Sequence, residues 1–331
     1  MSSNSNNKKR VLIIGGTGYL GQHLLQQLSN NNNTPIQQPF ILAFTHHSTL
    51  PPQPLLEAIH SDCLTFPLDL QNVDGFHAIS STFGQPDVVV NCAALSAPSA
   101  CEIDPATAMS VNVPSALVKW LLSFGNHNTL LIHLSTDHVY EGVKSFYKEE
   151  DETAPVNVYG KSKVKSEHFI SANWSNFAIL RSSIIYGPQT AAPVHKSLPV
   201  QWIDSLLAKG NEIDLFHDEF RCPVFIKDVV TIIQTITSRW IADGTHMQVI
   251  LNVGGPDRLS RLQMAETVAA VRGYEPSLLK PVSASTINRG VKSPADISMD
   301  IKKLTQTLGF SPMRFEEGVK LTLADPTDIT S

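Results

Sequence analysis

The sequence predicts an α/β fold, a doubly wound parallel sheet with a smaller C-terminal lobe. Three observations carry the prediction. Short β-rich apolar runs alternate with helical patterns, a glycine turn joins the first run to a helix, and the alternation breaks down after Tyr186-Gly187-Pro188. A chain of 331 residues with 42% hydrophobic side chains can bury one large α/β domain or two joined lobes.

The strands read in order as Val11-Leu12-Ile13-Ile14, Phe40-Ile41-Leu42-Ala43-Phe44, a third short run before Asp69-Leu70, Asp87-Val88-Val89-Val90-Asn91, Leu130-Leu131-Ile132-His133-Leu134 and Phe177-Ala178-Ile179-Leu180. Continuous apolar runs of this length suit a parallel sheet covered by helices on both faces. His23-Leu24-Leu25-Gln26-Gln27-Leu28 is an amphipathic helix behind the first strand. Leu117, Trp120, Leu121 and Phe124 recur at helical spacing, and Gly125 follows as a stop. Asn30-Asn31-Asn32-Asn33-Thr34-Pro35 is a polar loop or disordered insertion, and Leu50-Pro51-Pro52-Gln53-Pro54 is another loop. After Pro188, mixed helices and short strands run to the end, without an internal repeat.

Charge and composition narrow the function classes. The 25 basic and 30 acidic side chains, a formal charge of -5, offer no electrostatic footprint for nucleic acid or an anionic membrane. No apolar run approaches the ~18 residues that span a bilayer, and Ser2 to Arg10 is polar rather than a signal segment. Cys63, Cys92, Cys101 and Cys222 are scattered without Cys-x-x-Cys spacing. They read as reduced thiols in a cytoplasmic protein, with no metal site expected. Small-molecule partners fit this balance best.

The first strand runs into Gly15-Gly16-Thr17-Gly18-Tyr19-Leu20-Gly21 and then a helix. That order meets the needs of a dinucleotide pyrophosphate: a tight turn, close backbone approach and a helix N-terminus facing the negative charge. The sheet is therefore of the Rossmann type. NAD sites usually carry an acidic residue roughly 20 positions beyond the glycines. Here the second strand ends instead in Phe44-Thr45-His46-His47-Ser48, whose hydroxyls and imidazoles can bond a 2′-phosphate, so NADP(H) is the expected cofactor. Two surface histidines in a loop is the plainer alternative and leaves NAD(H) open. Asp69 and Leu70 are placed to meet the adenine, although an exposed loop aspartate fits equally.

Tyr159 and Lys163 stand four apart in Val158-Tyr159-Gly160-Lys161-Ser162-Lys163, so on a helix they share a face. A lysine charge beside a phenol eases proton release from a group whose ordinary pKa is about 10, which suits donation to a carbonyl oxygen. Such pairs also occur on solvated helix faces, and the rest of the chain has to decide between the readings.

Ser135-Thr136-Asp137-His138-Val139-Tyr140, Asn91-Cys92-Ala93-Ala94, Val111-Asn112, the Tyr159 run and Arg181-Ser182-Ser183-Ile184-Ile185-Tyr186-Gly187 agree in order and spacing with the extended short-chain dehydrogenase/reductases, which the chain resembles. Within that group they resemble the dTDP-4-dehydrorhamnose reductases and the related regulatory β subunits of methionine adenosyltransferase. The resemblance implies a triad of Thr136, Tyr159 and Lys163. Tyr159 would be the general acid, Lys163 would bond the nicotinamide ribose, and Thr136 would hold the carbonyl oxygen. It also implies that Asn91, Ala93 and Ala94 lie beside the cofactor and that Asn112 steadies the site; a buried Asn satisfying backbone groups is an equal reading of Asn112. Asp228 reads as a helix cap in the segment that returns to the core, and Ser260 as another. The implied organisation is a disordered start over 1–9, an NADP-binding domain over 10–188 to which the chain returns at about 220–253, and a substrate-binding lobe over 189–219 and 254–331.

Several substrate-side positions depart from the family pattern. The aromatic after Asp137 is His138, the tryptophan of the Arg-Thr-Ser-Trp run is Ile184, and the arginine before proline in the late loop is Ser293. Arg289 and Lys292 can replace the lost cation. Leu95-Ser96-Ala97-Pro98-Ser99 puts small and apolar groups at the expected mouth, with Ser96 toward substrate. The reading that follows is an NADPH-dependent carbonyl reductase, monomeric or homodimeric, acting on a ketone or the matching alcohol less charged than a sugar nucleotide, with a phosphorylated or otherwise anionic ligand left open by Arg289 and Lys292. The alternative is a non-catalytic NADP-binding regulatory subunit of a methionine adenosyltransferase-like enzyme.

Overall fold

The computed structural model describes residues 8–29, 40–59, 62–72, 74–194 and 196–324. The polar run Asn30–Pro35, the start of the chain through Asn7 and residues 325–331 lie outside the described residues. Lys9 is already tied down: its ammonium lies 2.9 Å from Asp87, and its carbonyl accepts the Ile41 N–H.

Six strands and seven helices build the dinucleotide-type half. They are β1 (Arg10–Ile14), α1 (Tyr19–Ser29), β2 (Ile41–His46), α2 (Gln53–Ala58), β3 (Leu64–Pro67), α3 (Asp74–Thr82), β4 (Val88–Asn91), α4 (Pro98–Ile103), α5 (Pro105–Asn112), α6 (Ser115–Leu122), β5 (Leu130–Thr136), α7 (Val158–Asn173) and β6 (Phe177–Ser182). A further strand, Gln248–Val253, joins them after the chain has passed through the lobe. The seven-stranded sheet runs Gln248–Val253, β6, β5, β4, β1, β2, β3, and every pair in it is parallel.

Successive strand side chains point to opposite faces, and each face has its own core. Val11 and Ile13 join Leu24, Leu25 and Leu28 of α1, whereas Leu12 and Ile14 join Phe76, Trp120 and Trp174. Closing off each such side chain stabilises the fold by about 1.5–3 kcal/mol. Both faces are therefore sealed, and only strand ends and loops are left for chemistry. The chain leaves β1 toward β2 and β3 on one side, then crosses back to β4 on the other. That reversal opens a crevice at the C-terminal ends of β1 and β4, where ligands of such sheets bind.

The remainder supplies short two-stranded sheets and helices, among them Pro199–Leu207, Ile226–Asp243 and Arg261–Arg272. Ser260 caps the last of these in a capping box with Gln263, as expected. Asp228 does not cap: its carboxylate accepts the Met313 N–H at 2.7 Å, and the cap position falls on Phe225. It sits inside the first turn of its helix, so its side chain reaches the C-terminal segment instead. No described helix is long and apolar enough to cross a membrane.

Candidate active site at the strand ends

The glycine turn is held between β2 and α1. The Gly15 N–H donates to Thr45 Oγ1 at 3.1 Å and the Gly16 N–H to the Thr45 carbonyl at 2.9 Å. A Cβ at Gly21 would collide with the Gly15 oxygen, and one at Gly16 would stand 2.5 Å from Phe44 Cβ. Gly15 adopts φ +78°, a conformation open to glycine at no steric cost. The result is a cradle whose floor is bare backbone. Thr17 is half-buried and Gly18 exposed at its tip; Tyr19 begins α1 and donates its hydroxyl to the Pro188 carbonyl at 3.0 Å. Leu20 turns its side chain into the core, leaving its backbone as the part available to a ligand.

At the end of β2, His46 is buried and its Nδ1 has no partner among the described residues, while His47 and Ser48 are exposed. Asp69 folds back on its own loop, accepting the Gln71 N–H at 2.9 Å and the Asn72 amide at 3.3 Å, and Leu70 is buried beside it. Across the crevice, Asn91 ends β4. Its Oδ1 accepts the Ala93 N–H at 3.3 Å, and its Nδ2 lies 3.1 Å from His133 Nδ1. Ala93 lies under Gly15, 3.0 Å from where a glycine Cβ would be, with Ala94 next along the loop.

Thr136 ends β5, and Tyr159 lies in the first turn of α7. Asn157 caps that helix by accepting the Gly160 N–H at 2.8 Å, and the Glu102 carboxylate accepts the Val158 N–H at 2.8 Å. Gly160 allows the helix to press against the turn after β5, since a Cβ there would run into the His138 carbonyl oxygen. The packing sets the end of β5 and the turn after it against the first turn of α7. Burial raises the phenol above its ordinary range, the Thr136 hydrogen bond pulls it back, and Asp137 and Cys101 push it up again. Lys163 does not act on that phenol. Its ammonium, 1% exposed, turns to the Leu134 carbonyl and to His133 Nε2 at 3.2 Å. Burial brings Lys163 down to about 8, against the opposing pull of Glu167 and Cys92. Asn112 bonds both backbone groups of Leu95 and, at 2.8 Å, Ser162 Oγ, fixing the Leu95 loop to α7.

On the lobe side, Asp137 is buried and accepts the hydroxyls of Thr136 at 3.1 Å and Ser183 at 2.8 Å. His138 stands edge-on to the Tyr159 ring at 5.6 Å and meets the Asn157 amide at 3.1 Å. Burial lowers its imidazole to about 4 although Asp137 opposes, so the ring is neutral at pH 7. Arg289 is paired with buried Glu219 and lies 4.5 Å from the centre of the Phe216 ring, on the wall of a cavity of about 710 Å³ that also includes Glu141, Val156 and Lys292. Ser96 is exposed and Ile184 is half-buried. Neither lines that cavity.

Sequence reasoning passed over several groups here. Ser183 holds Asp137, His133 holds Lys163, and Arg221 donates to the carbonyls of Phe220, Ala295 and Pro294 and to Ser293 Oγ. Arg261 makes no hydrogen bond or ion pair among the described residues; burial and then Arg221 lower it to about 10. Ser183 had a signal in its place in the Arg181–Gly187 run, and Arg221 and Arg261 stand in runs that resemble the family without their roles being marked. Those roles depend on long-range partners.

The gathered groups comprise a turn of bare backbone, a protonated phenol at the start of α7, a hydroxyl at the end of β5, and a buried amine one helical turn behind the phenol. A family model described as RmlD substrate binding domain matches residues 9–327. The chain is 28% identical to methionine adenosyltransferase 2 subunit beta of Pongo abelii over 318 residues, covering 95% of this chain and 87% of that one. It is 27% identical to dTDP-4-dehydrorhamnose reductase of Aggregatibacter actinomycetemcomitans over 319 residues, covering 94% and 97%. The fold matches the crystal structure of dTDP-4-dehydrorhamnose reductase from Bacillus anthracis in complex with NADP, with TM-score 0.74, 20% identity and coverage of 95% and 98%.

Proposed function

The chain belongs to the RmlD substrate binding domain family, and from that premise we propose that it is an NADPH-dependent reductase of a carbonyl group on a small molecule. One observation carries the reading: Thr136 ends β5 and Tyr159 opens α7 at the C-terminal edge of the parallel sheet, where the turn after Thr136 packs on the Tyr159 ring through His138. The residues fit the cofactor, because the tight turn leaves no room for a Cβ at Gly16, against Phe44, or at Gly21, against the Gly15 oxygen, and the buried Nδ1 of His46 lacks a partner among the described residues. Gly15 to Gly21 would hold the pyrophosphate, His46, His47 and Ser48 the 2′-phosphate, and Lys163 the nicotinamide ribose. Bound NADPH supplies the hydride.

The chain's own groups handle the proton. Burial keeps the Tyr159 phenol protonated at neutral pH, which is the state a general acid needs. Thr136 would position the carbonyl oxygen by turning toward it the hydroxyl that here donates to Asp137, whose carboxylate Ser183 holds. Transfer of the phenolic proton to that oxygen completes an alcohol. Substrate would enter past Ser96 and the lobe, with His138 and Ile184 as its neighbours. The test is nicotinamide absorbance against a panel of ketones, aldehydes and sugar nucleotides. Turnover that disappears in Tyr159→Phe with NADPH affinity intact supports the reading.

A second reading, an NADP-binding regulatory subunit, is supported by the similarity to the Pongo abelii subunit. Under it no acceptor is reduced, and adding the protein changes the activity of a methionine adenosyltransferase.

A further inference from the structure

Behind the candidate acid lies a buried polar cluster that the reductase reading leaves unassigned. His133, in the middle of β5, is 0% exposed. Its Nδ1 lies 3.1 Å from Asn91 Nδ2, and its Nε2 lies 2.7 Å from Ser166 Oγ and 3.2 Å from Lys163 Nζ. The flanking strand residues Ile132 and Leu134 are apolar, and an imidazole of this depth stays neutral, first through burial and then through the Lys163 charge. A neutral imidazole has one N–H and one lone pair. Which nitrogen holds the proton follows from the neighbours.

An ammonium at Lys163 only donates, so when Nε2 accepts from it, with the Ser166 hydroxyl hydrogen turned aside, the ring proton lies on Nδ1, toward an Asn91 turned to present its oxygen at the cost of the Ala93 N–H bond. A neutral amine at Lys163 offers a lone pair, and the ring proton then fits on Nε2 while the Asn91 amide donates to Nδ1. The two arrangements differ by an amide turn that trades the Ala93 N–H bond, a turn of the Ser166 hydroxyl and a tautomer, all of which the hydrogen-bond network decides. We propose that His133 is a positioning residue for Lys163, anchoring its ammonium at the end of β5 and adopting the tautomer that matches each protonation state of the lysine. The proton balance is simple: the pair releases one proton, and the ring keeps one throughout, on Nδ1 before and on Nε2 after. Glu167 on α7 and the Cys92 thiol after β4 face the same ammonium, and the thiol, which burial pushes up to about 12, is a neutral neighbour like His133. With Lys163 brought to about 8, the change falls in an accessible range.

The proposal deepens the reductase reading, and its first readout needs neither cofactor nor turnover. In ligand-free protein labelled with ¹⁵N-histidine, the His133 ring nitrogens are expected to report an Nδ1–H tautomer near neutral pH and to cross to Nε2–H as pH rises through about 8. Lys163→Met removes that transition. Where turnover exists, His133→Leu moves the alkaline limb of the kcat profile down by about one pH unit, and His133→Gln, which keeps an acceptor, restores much of it. Ring shifts that stay constant across the alkaline range, or that change equally in Lys163→Met, overturn the proposal. A Lys163-dependent transition in a protein that reduces no acceptor leaves the proposal standing and sinks the reductase reading. Turnover whose alkaline limb ignores His133→Leu does the opposite.

Discussion

Arg181 on β6 and Glu167 on α7 form an ion pair at 2.8 Å with side chains 5% and 4% exposed. The helix that carries Tyr159 and Lys163 is thereby fixed to the sheet by a charge on each. Arg181 also donates to Tyr140 Oη and the Glu149 carbonyl, and Ser135 donates to Glu167. Removing one partner leaves a buried charge uncompensated, so Glu167→Ala is expected to destabilise the fold by about 3–5 kcal/mol in urea denaturation. Replacing both partners with apolar residues of similar volume should cost much less. Equal losses in the single and double variants would show that the pair is not a coupled unit.

Tyr159→Phe keeps the ring against His138 and deletes only the acid. Turnover is expected to fall by about 10²–10⁴-fold, with NADPH affinity within a few-fold of the parent. Stopped-flow reduction and fluorescence titration check the two halves, and unchanged turnover would remove Tyr159 from the chemistry.

Lys163 links stability to pH. Its folded pKa of about 8 lies below the 10.5 of a free lysine, so between these values the unfolded chain binds a proton that the folded chain does not. Stability therefore rises with pH across that window, and near pH 7 the fold carries the full cost of a buried ammonium. Lys163→Met is expected to be more stable at pH 7 by about 1–3 kcal/mol, with the gap closing toward pH 10. His138 works at the acid end: its folded value of about 4 against 6.5 makes stability fall as pH drops through that interval. Denaturant midpoints at three pH values test both slopes.

Gly21→Ala places a Cβ against the Gly15 oxygen, and the turn has to shift. NADPH affinity is expected to drop by tenfold or more, on the order of 1.4 kcal/mol. His47→Asp substitutes the acidic group that NAD sites use for the ribose hydroxyls and repels a 2′-phosphate, moving preference toward NADH. Paired fluorescence titrations with the two cofactors measure both effects.

The sheet was legible because β1, β4, β5 and β6 are apolar on both faces, which leaves little else for such runs to be. β3 was read only by its place before Asp69-Leu70, since three of its four residues are exposed and Phe66 alone among them is buried. The glycine cradle was readable since its steric demand lies within a few adjacent residues. Arg289 reads as a free cation in sequence, yet its partner Glu219 is brought to it by the lobe's folding. Lys163 likewise has the spacing to face Tyr159, but His133 and Leu134, on a strand that sequence places far away, turn its ammonium inward. Local pattern specifies which groups are present; tertiary pairing decides which of them remain available.

Strand Gln248–Val253 closes the sheet beside β6, and the lobe's first half is synthesised between them. A nascent chain that has emitted Phe177–Ser182, all six residues of which are buried in the finished protein, holds a naked sheet margin until Val253 clears the ribosome. Translation speed through that interval governs how long the margin is open to neighbouring chains. Yield of the intact protein should accordingly respond to codon choice and chaperone supply over that stretch more than elsewhere.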